Sequence, residues 1–152
     1  MVLLCYDGSA TAKHAIAMAH RVLSHTPVTL LHVWDPPAEF LAPDAYGGAI
    51  TAAGPPIVEL ESLALARANQ IGHEGYELAR HEGLAVEERV ERSHSNTWRT
   101  IVDVADDLDA EVIVVGARGL SKVESLLIGS ISNAVVHHAG RSVLVVPPAT
   151  AR

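Results

Sequence analysis

Short apolar runs alternate with segments of helical periodicity along this chain, and that alternation restricts the fold more than any other feature. Val2-Leu3-Leu4-Cys5-Tyr6 is the first run, closed by Asp7-Gly8-Ser9. Continuous runs of this length suit strands buried on both faces, whereas half-solvated strands alternate. Ala12, Ala15, Ile16, Ala19 and Leu23 then recur at i, i+3, i+4, i+7 and i+11, one face of a helix, with Ser9 as its N-cap. Val28-Thr29-Leu30-Leu31-His32-Val33 is the second run. A longer helix from about Val58 carries Ala64, Ala68, Ile71, Gly75 and Leu78 on one stripe. Gly72 and Gly75 are expected to weaken its end, and Gly83 to cap it. Residues 85–91 alternate loosely, are more charged, and read as an edge strand. Trp98, Ile101, Val102, Ala105 and Leu108 return to helical spacing, and Val112-Ile113-Val114-Val115 is the cleanest buried strand. Ile131, Ala134, Val135 and His138 mark a short last helix, and Ser142-Val143-Leu144-Val145-Val146 a last strand, stopped by Pro147-Pro148.

Five strands and four helices in this order predict an α/β fold: an open parallel sheet with helices on both faces, Rossmann-like, in a single domain over residues 1–152. One segment breaks the pattern. Residues 34–56 hold five of the eight prolines together with Gly47, Gly48 and Gly54, and a loop of that length is either functional or disordered. A 49% hydrophobic content with 19% charged residues is ample for a core.

Composition also removes classes of partner. Eleven Lys and Arg against 18 Asp and Glu leave a net charge of −7, which repels DNA, RNA and anionic lipid. No apolar run approaches the ~18 residues of a membrane span. The single cysteine, Cys5, forms no internal disulfide, and a cytoplasmic location is expected.

In open α/β sheets, ligands bind beyond the carboxyl ends of strands where the strand order reverses. Two strand ends carry residues suited to that role: Asp7-Gly8-Ser9 after the first, and Gly116-Ala117-Arg118-Gly119 after the fourth. They share one crevice if the order is 3-2-1-4-5. After Gly119 come nine residues and then Gly129-Ser130-Ile131-Ser132, opening the last helix. Gly119 lets backbone N–H groups approach a bulky anion, and the N–H groups of a helix N-terminus favour phosphate. The Ser130 and Ser132 hydroxyls can add donors or ligate a metal. A turn glycine followed by an ordinary serine N-cap is the plainer alternative. A Walker P-loop is excluded because no Lys precedes either serine, and a GxGxxG fingerprint is absent after the first strand.

These residues resemble the universal stress protein family, in particular its ATP-binding branch. The resemblance covers essentially the whole chain: the aspartate ending strand one, Leu31-His32-Val33 ending strand two, and the terminal Val143-Leu144-Val145-Val146-Pro147. Its specific element is G-x2-G-x9-G-[S/T], matched by Gly116, Gly119, Gly129 and Ser130. The resemblance implies that Asp7 accepts hydrogen bonds from ribose hydroxyls, that the Val33 backbone reads the adenine edge, and that Gly116 sits beside the ribose. It implies that Gly119, Gly129, Ser130 and Ile131 cradle phosphates bridged by Mg²⁺ or Mn²⁺. Arg118 and Lys122 add local positive charge. It also implies a homodimer paired through the last strand, residues 143–146, which would otherwise be an unprotected apolar edge.

Other constellations carry less. His137 and His138 diverge by ~100° on a helix, His73 and His81 are too far apart, and His14, His20 and His25 match no metal-ligand spacing. No protein metal centre is expected. Asp103, Asp106, Asp107, Asp109 and Glu111 read as a solvated helix end. Glu124 is the only nearby candidate for a base, so weak ATP hydrolysis or none is expected. Three functions follow in order: an adenine-nucleotide-binding regulatory or stress-response sensor; a slow metal-dependent ATPase; and a dimeric interaction protein with a vestigial nucleotide site.

Overall fold

A computed structural model describes residues 1–23, 25–37, 57–119 and 128–149. The strands are β1 (Val2–Cys5), β2 (Val28–Trp34), β3 (Val86–Arg92), β4 (Val112–Gly116) and β5 (Ser142–Val146). The helices are α1 (Ala10–Val22), α2 (Ile57–His81), α3 (Thr97–Asp107) and α4 (Ser130–His138). The strands form one sheet in the order β3-β2-β1-β4-β5, every pair parallel. Val2 stands level with Val28 and Val112, Val28 with Val86, and Val112 with Ser142. All five strands therefore end at one edge. The chain steps outward from β1 to β3, then returns past β1 to β4, so the strand order reverses between β1 and β4.

Right-handed crossovers in opposite directions require helices on opposite faces. Leu4, Leu30 and Val114 pack with Ala12, Ala15 and Ile16 of α1 and Ala79 of α2. Leu3, Leu31, Ile113 and Val115 pack with Ile101, Val104 and Ala105 of α3 and Val135 of α4. Neighbouring strand residues thus enter different cores, which is why the runs are continuously apolar. β3 pairs only with β2 and is the least buried strand, the edge position expected of its charges.

The helix ends follow local chemistry. Ser9 caps α1, its Oγ accepting from Ala12 N–H at 3.1 Å. Asn96 caps α3, its Oδ1 accepting from Arg99 N–H at 3.1 Å. α2 closes with Gly83 at φ +87°, while Gly83 N–H donates to Arg80 O and Leu84 N–H to Ala79 O, a Schellman motif.

One expectation is corrected in α2. Gly72 and Gly75 do not weaken its end: the helix runs through both to His81. They belong to its buried stripe with Ala68 and Ala79, and Leu78 lies outside that stripe, 37% exposed. A Cβ on Gly72 would lie 2.6 Å from Val90 Cγ2, and one on Gly75 would lie 2.6 Å from the Tyr6 ring. Small residues are what let α2 settle onto β3 and onto the Tyr6 ring just beyond β1. Of the proline- and glycine-rich loop, residues 38–56 lie outside the described residues, as do Lys122 and Glu124. Among the described residues no helix is long and apolar enough to cross a membrane.

Candidate functional site

A cavity of about 370 Å³ opens at the carboxyl edge of the sheet, over the ends of β1, β2 and β4. Asp7, Val33, Gly116, Arg118, Gly119, Gly129, Ser130, Ile131 and Ser132, separate in sequence, all line it. The topology causes this convergence, because parallel strands of matched register deliver the residues after them to one edge.

The β1 loop turns on its own residues. Gly8 adopts φ +81°, and Asp7 Oδ1 accepts from Ser9 N–H at 3.0 Å. Asp7 Oδ2 faces the β4 loop, where a Cβ on Gly119 would lie 2.7 Å from it. Glycine at 119 lets the Asp7 carboxylate come this close to the β4 loop, and a larger residue would displace it. Gly116 has a second reason too: a Cβ there would meet Thr11 Cγ2 at 3.0 Å, in the first turn of α1.

The start of α4 is tied to the end of β4 by backbone. The Gly129 N–H, expected to face phosphate, instead donates to Ala117 O at 2.6 Å, and Ala117 N–H donates to Val146 O at 2.7 Å. Ser132, expected as a donor toward phosphate, is buried and donates its hydroxyl to Gly116 O at 2.6 Å. It builds the cradle's floor. The serine N-cap alternative is not realised, since Gly129 is the N-cap and no side chain caps the helix. The first helical bond runs from Asn133 N–H to Gly129 O. The N–H groups of residues 130–132 precede it and have no carbonyl within the helix, and the helix dipole adds partial positive charge there.

Residues not foreseen as site residues complete the walls: Tyr6, His32, Asp35, Ile71, Thr97 and Ile101. Tyr6 donates its hydroxyl to Glu74 Oε1 at 3.0 Å, and Lys13 Nζ lies 2.7 Å from the same oxygen. Burial above all, then the Glu74 contact, holds the Tyr6 hydroxyl well above the usual phenol range. The Lys13 and Tyr6 hydrogen bonds hold Glu74 below the usual carboxylate range. His32 Nδ1 lies 2.8 Å from Tyr6 O. A carbonyl only accepts, so Nδ1 carries the hydrogen. Cys5 also lines the cleft, and burial, with Asp7 second, pushes its thiol up to about 12.

A signal for some of these was present in the sequence. Once the runs are parallel strands, the residues just beyond each one border the same edge. Asp35 follows β2, and Thr97 opens the helix after β3. Ile71 carries no such signal, because α2 reaches the cleft only through its packing. Among the described residues, no group of three or more His, Cys, Asp or Glu side chains is placed to hold a metal.

A sequence profile described as the universal stress protein family matches residues 1–147. The chain is 31% identical over 147 residues to a Thermus aquaticus protein, the universal stress protein in the QAH/OAS sulfhydrylase 3′ region, covering 95% of this chain and 96% of that one. It is 38% identical over 65 residues to universal stress protein Sll1388 of Synechocystis, where the match spans 43% of this chain and 41% of the relative's length. Among solved structures, the hypothetical protein MJ0577 superposes with a TM-score of 0.76 at 22% identity, over 99% of this chain and 96% of that one. A universal stress protein family protein from Arabidopsis thaliana with AMP bound superposes with a TM-score of 0.67 at 16% identity, over 98% and 92% of the two chains. These structural likenesses concern the fold. The sequence match runs from the first strand to the last and takes in every element that builds the cleft, and the chain belongs to the universal stress protein family.

Proposed function

We propose that the cleft binds an adenine nucleotide, ATP with Mg²⁺ or Mn²⁺, and that the protein is a nucleotide-responsive regulator in the stress response rather than a catalyst. One observation carries this reading: the glycine-serine loop and Asp7 meet in one cavity, with the N–H groups of residues 130–132 beyond the reach of any helical carbonyl. In this reading Asp7 Oδ2 accepts from the ribose, the Val33 backbone reads the adenine edge, and Gly116 flanks the sugar. Gly119, Ser130 and Ile131 hold the phosphates by backbone N–H, the Gly129 N–H being engaged by Ala117 O, with Arg118 adding positive charge beside them. The divalent ion arrives on the phosphates, since the surrounding side chains supply no ligand cluster among the described residues. AMP in the Arabidopsis relative supports an adenine nucleotide as the ligand class. The same reading includes a homodimer through β5, which lies at the sheet edge with Val143, Leu144 and Val145 only partly buried.

Isothermal titration with ATP and Mg²⁺ tests the assignment. One-site binding is expected with a dissociation constant of several hundred micromolar or tighter, and no heat in that range sinks it. Gly119→Val should abolish binding because its side chain displaces Asp7 and fills the cradle, while circular dichroism stays native. Normal binding by that variant would show the loop assignment to be wrong.

A further inference from the structure

A second cavity, of about 560 Å³, opens beside the cleft at the first turns of α3 and α4. The two share a wall of Asp35, Thr97, Ser130 and Ile131. That wall joins the end of β2 to the start of α4, so a ligand held by phosphate at Ser130 has the second cavity as its neighbour.

The chemistry of the second cavity differs from that of the cleft. Its described lining includes the Asp35 carboxylate and no Lys or Arg. A further phosphate there would share the cavity with a carboxylate, which is unfavourable. Hydroxyl and amino donors are suited instead, with Asp35, Ser95 and Thr97 as acceptors. Asn96 Oδ1 is engaged by Arg99 N–H, which leaves its amide N–H groups to donate. Trp98 forms an aromatic wall, and it is held in place by stacking on His138, with ring centroids 4.6 Å apart and 26° between planes. A flat apolar wall, neutral donors and acceptors, and a carboxylate suit a nucleoside better than a phosphate or an acyl chain.

We infer that the second cavity takes the second nucleoside of a dinucleoside polyphosphate, whose phosphate chain crosses the Ser130–Ile131 wall out of the cleft. This rests on the proposed reading of the cleft as a nucleotide site. One end of the ligand occupies the cleft as ATP would, and the other stacks near Trp98 within reach of Asp35. Stacking of one added base on an ordered aromatic side chain raises affinity by roughly tenfold.

The test compares ATP with diadenosine triphosphate by titration calorimetry at matched Mg²⁺. The dinucleotide is expected to bind about tenfold tighter. Ser95→Trp and Ala134→Phe fill the second cavity from different elements, and neither position lines the cleft. Both variants should remove the gain and keep the ATP affinity, which also reports that they are folded. ATP binding with no gain for the dinucleotide overturns the inference alone, as does a gain that survives both fillings. Binding of neither ligand overturns the reading of the cleft and the inference with it.

Discussion

Burial around Cys5, reinforced by the charge of Asp7, pushes the thiol up to about 12. The thiolate is the reactive form, so at pH 8 only about one molecule in 10⁴ carries it. Iodoacetamide should therefore label the folded protein at least a hundredfold more slowly than the guanidinium-unfolded chain. Equal rates, followed by mass spectrometry, would show that the thiol's pKa is not raised in the fold. The same shift has a sign in stability. The folded state holds the proton more tightly than the unfolded chain, whose thiol titrates near 9.0. That contribution is whole below about pH 9 and is lost as pH rises toward about 12. Tyr6 shifts in the same direction and adds to the alkaline loss. Glycines at this scale divide by how readable they are. Gly119 and Gly129 stand beside strand and helix ends, so a place in the cleft could be argued for them from the sequence, and both line it. Gly72 and Gly75 sit inside a helical stripe and looked like weak points, because nothing local reveals that Val90 and the Tyr6 ring come within 2.6 Å of where a Cβ would be.

Between elements, the turn from α4 to β5 is fastened by Arg141. Its guanidinium donates to Ala105 O at 2.7 Å and to Ala110 O at 2.5 Å, and it pairs with Asp106. Its Nε donates to Ala139 O at 3.2 Å. One side chain thus ties the end of α3, the start of β4 and the end of α4 together. Arg141→Ala leaves several carbonyls without this donor and should cost about 2–3 kcal/mol. For a chain of this size that lowers Tm by roughly 4–10 °C. Arg141→Lys should recover only part, because a point charge cannot replace the fork of donors. A variant with unchanged Tm would mean that water satisfies those carbonyls equally well. The elements themselves were largely legible: α1 in its stripe and cap, α3 in its stripe, β1, β2 and β4 as continuous apolar runs. The start of α4 was not settled, since Gly129-Ser130 fits either a serine cap or an open N-terminus. Only the fixed distance between β4 and α4 selects the second, with Ser132 turned down to Gly116 O.

At the scale of the whole molecule, β5 is left as an edge and invites a partner. Analytical ultracentrifugation at tens of micromolar is expected to give a dimer. Val143→Lys places a charge on that edge and should give a monomer that still binds ATP. A wild-type monomer, or a lysine variant that stays dimeric, would rule out pairing through β5. The net charge of −7 belongs to this scale as well. It disfavours long polyanions, which need many Lys and Arg, while leaving a local set of backbone N–H groups able to hold a short one. By itself, the sequence determined the alternation of strand and helix, the parallel sheet and the residue types at two strand ends, because periodicity and turn chemistry are local. Tertiary structure alone decided that α2 packs through glycine, that Ile71 joins the cleft walls, and that a second cavity shares one of them. Those outcomes depend on distances between elements far apart in the chain, and such distances are set only when the two cores close on the sheet.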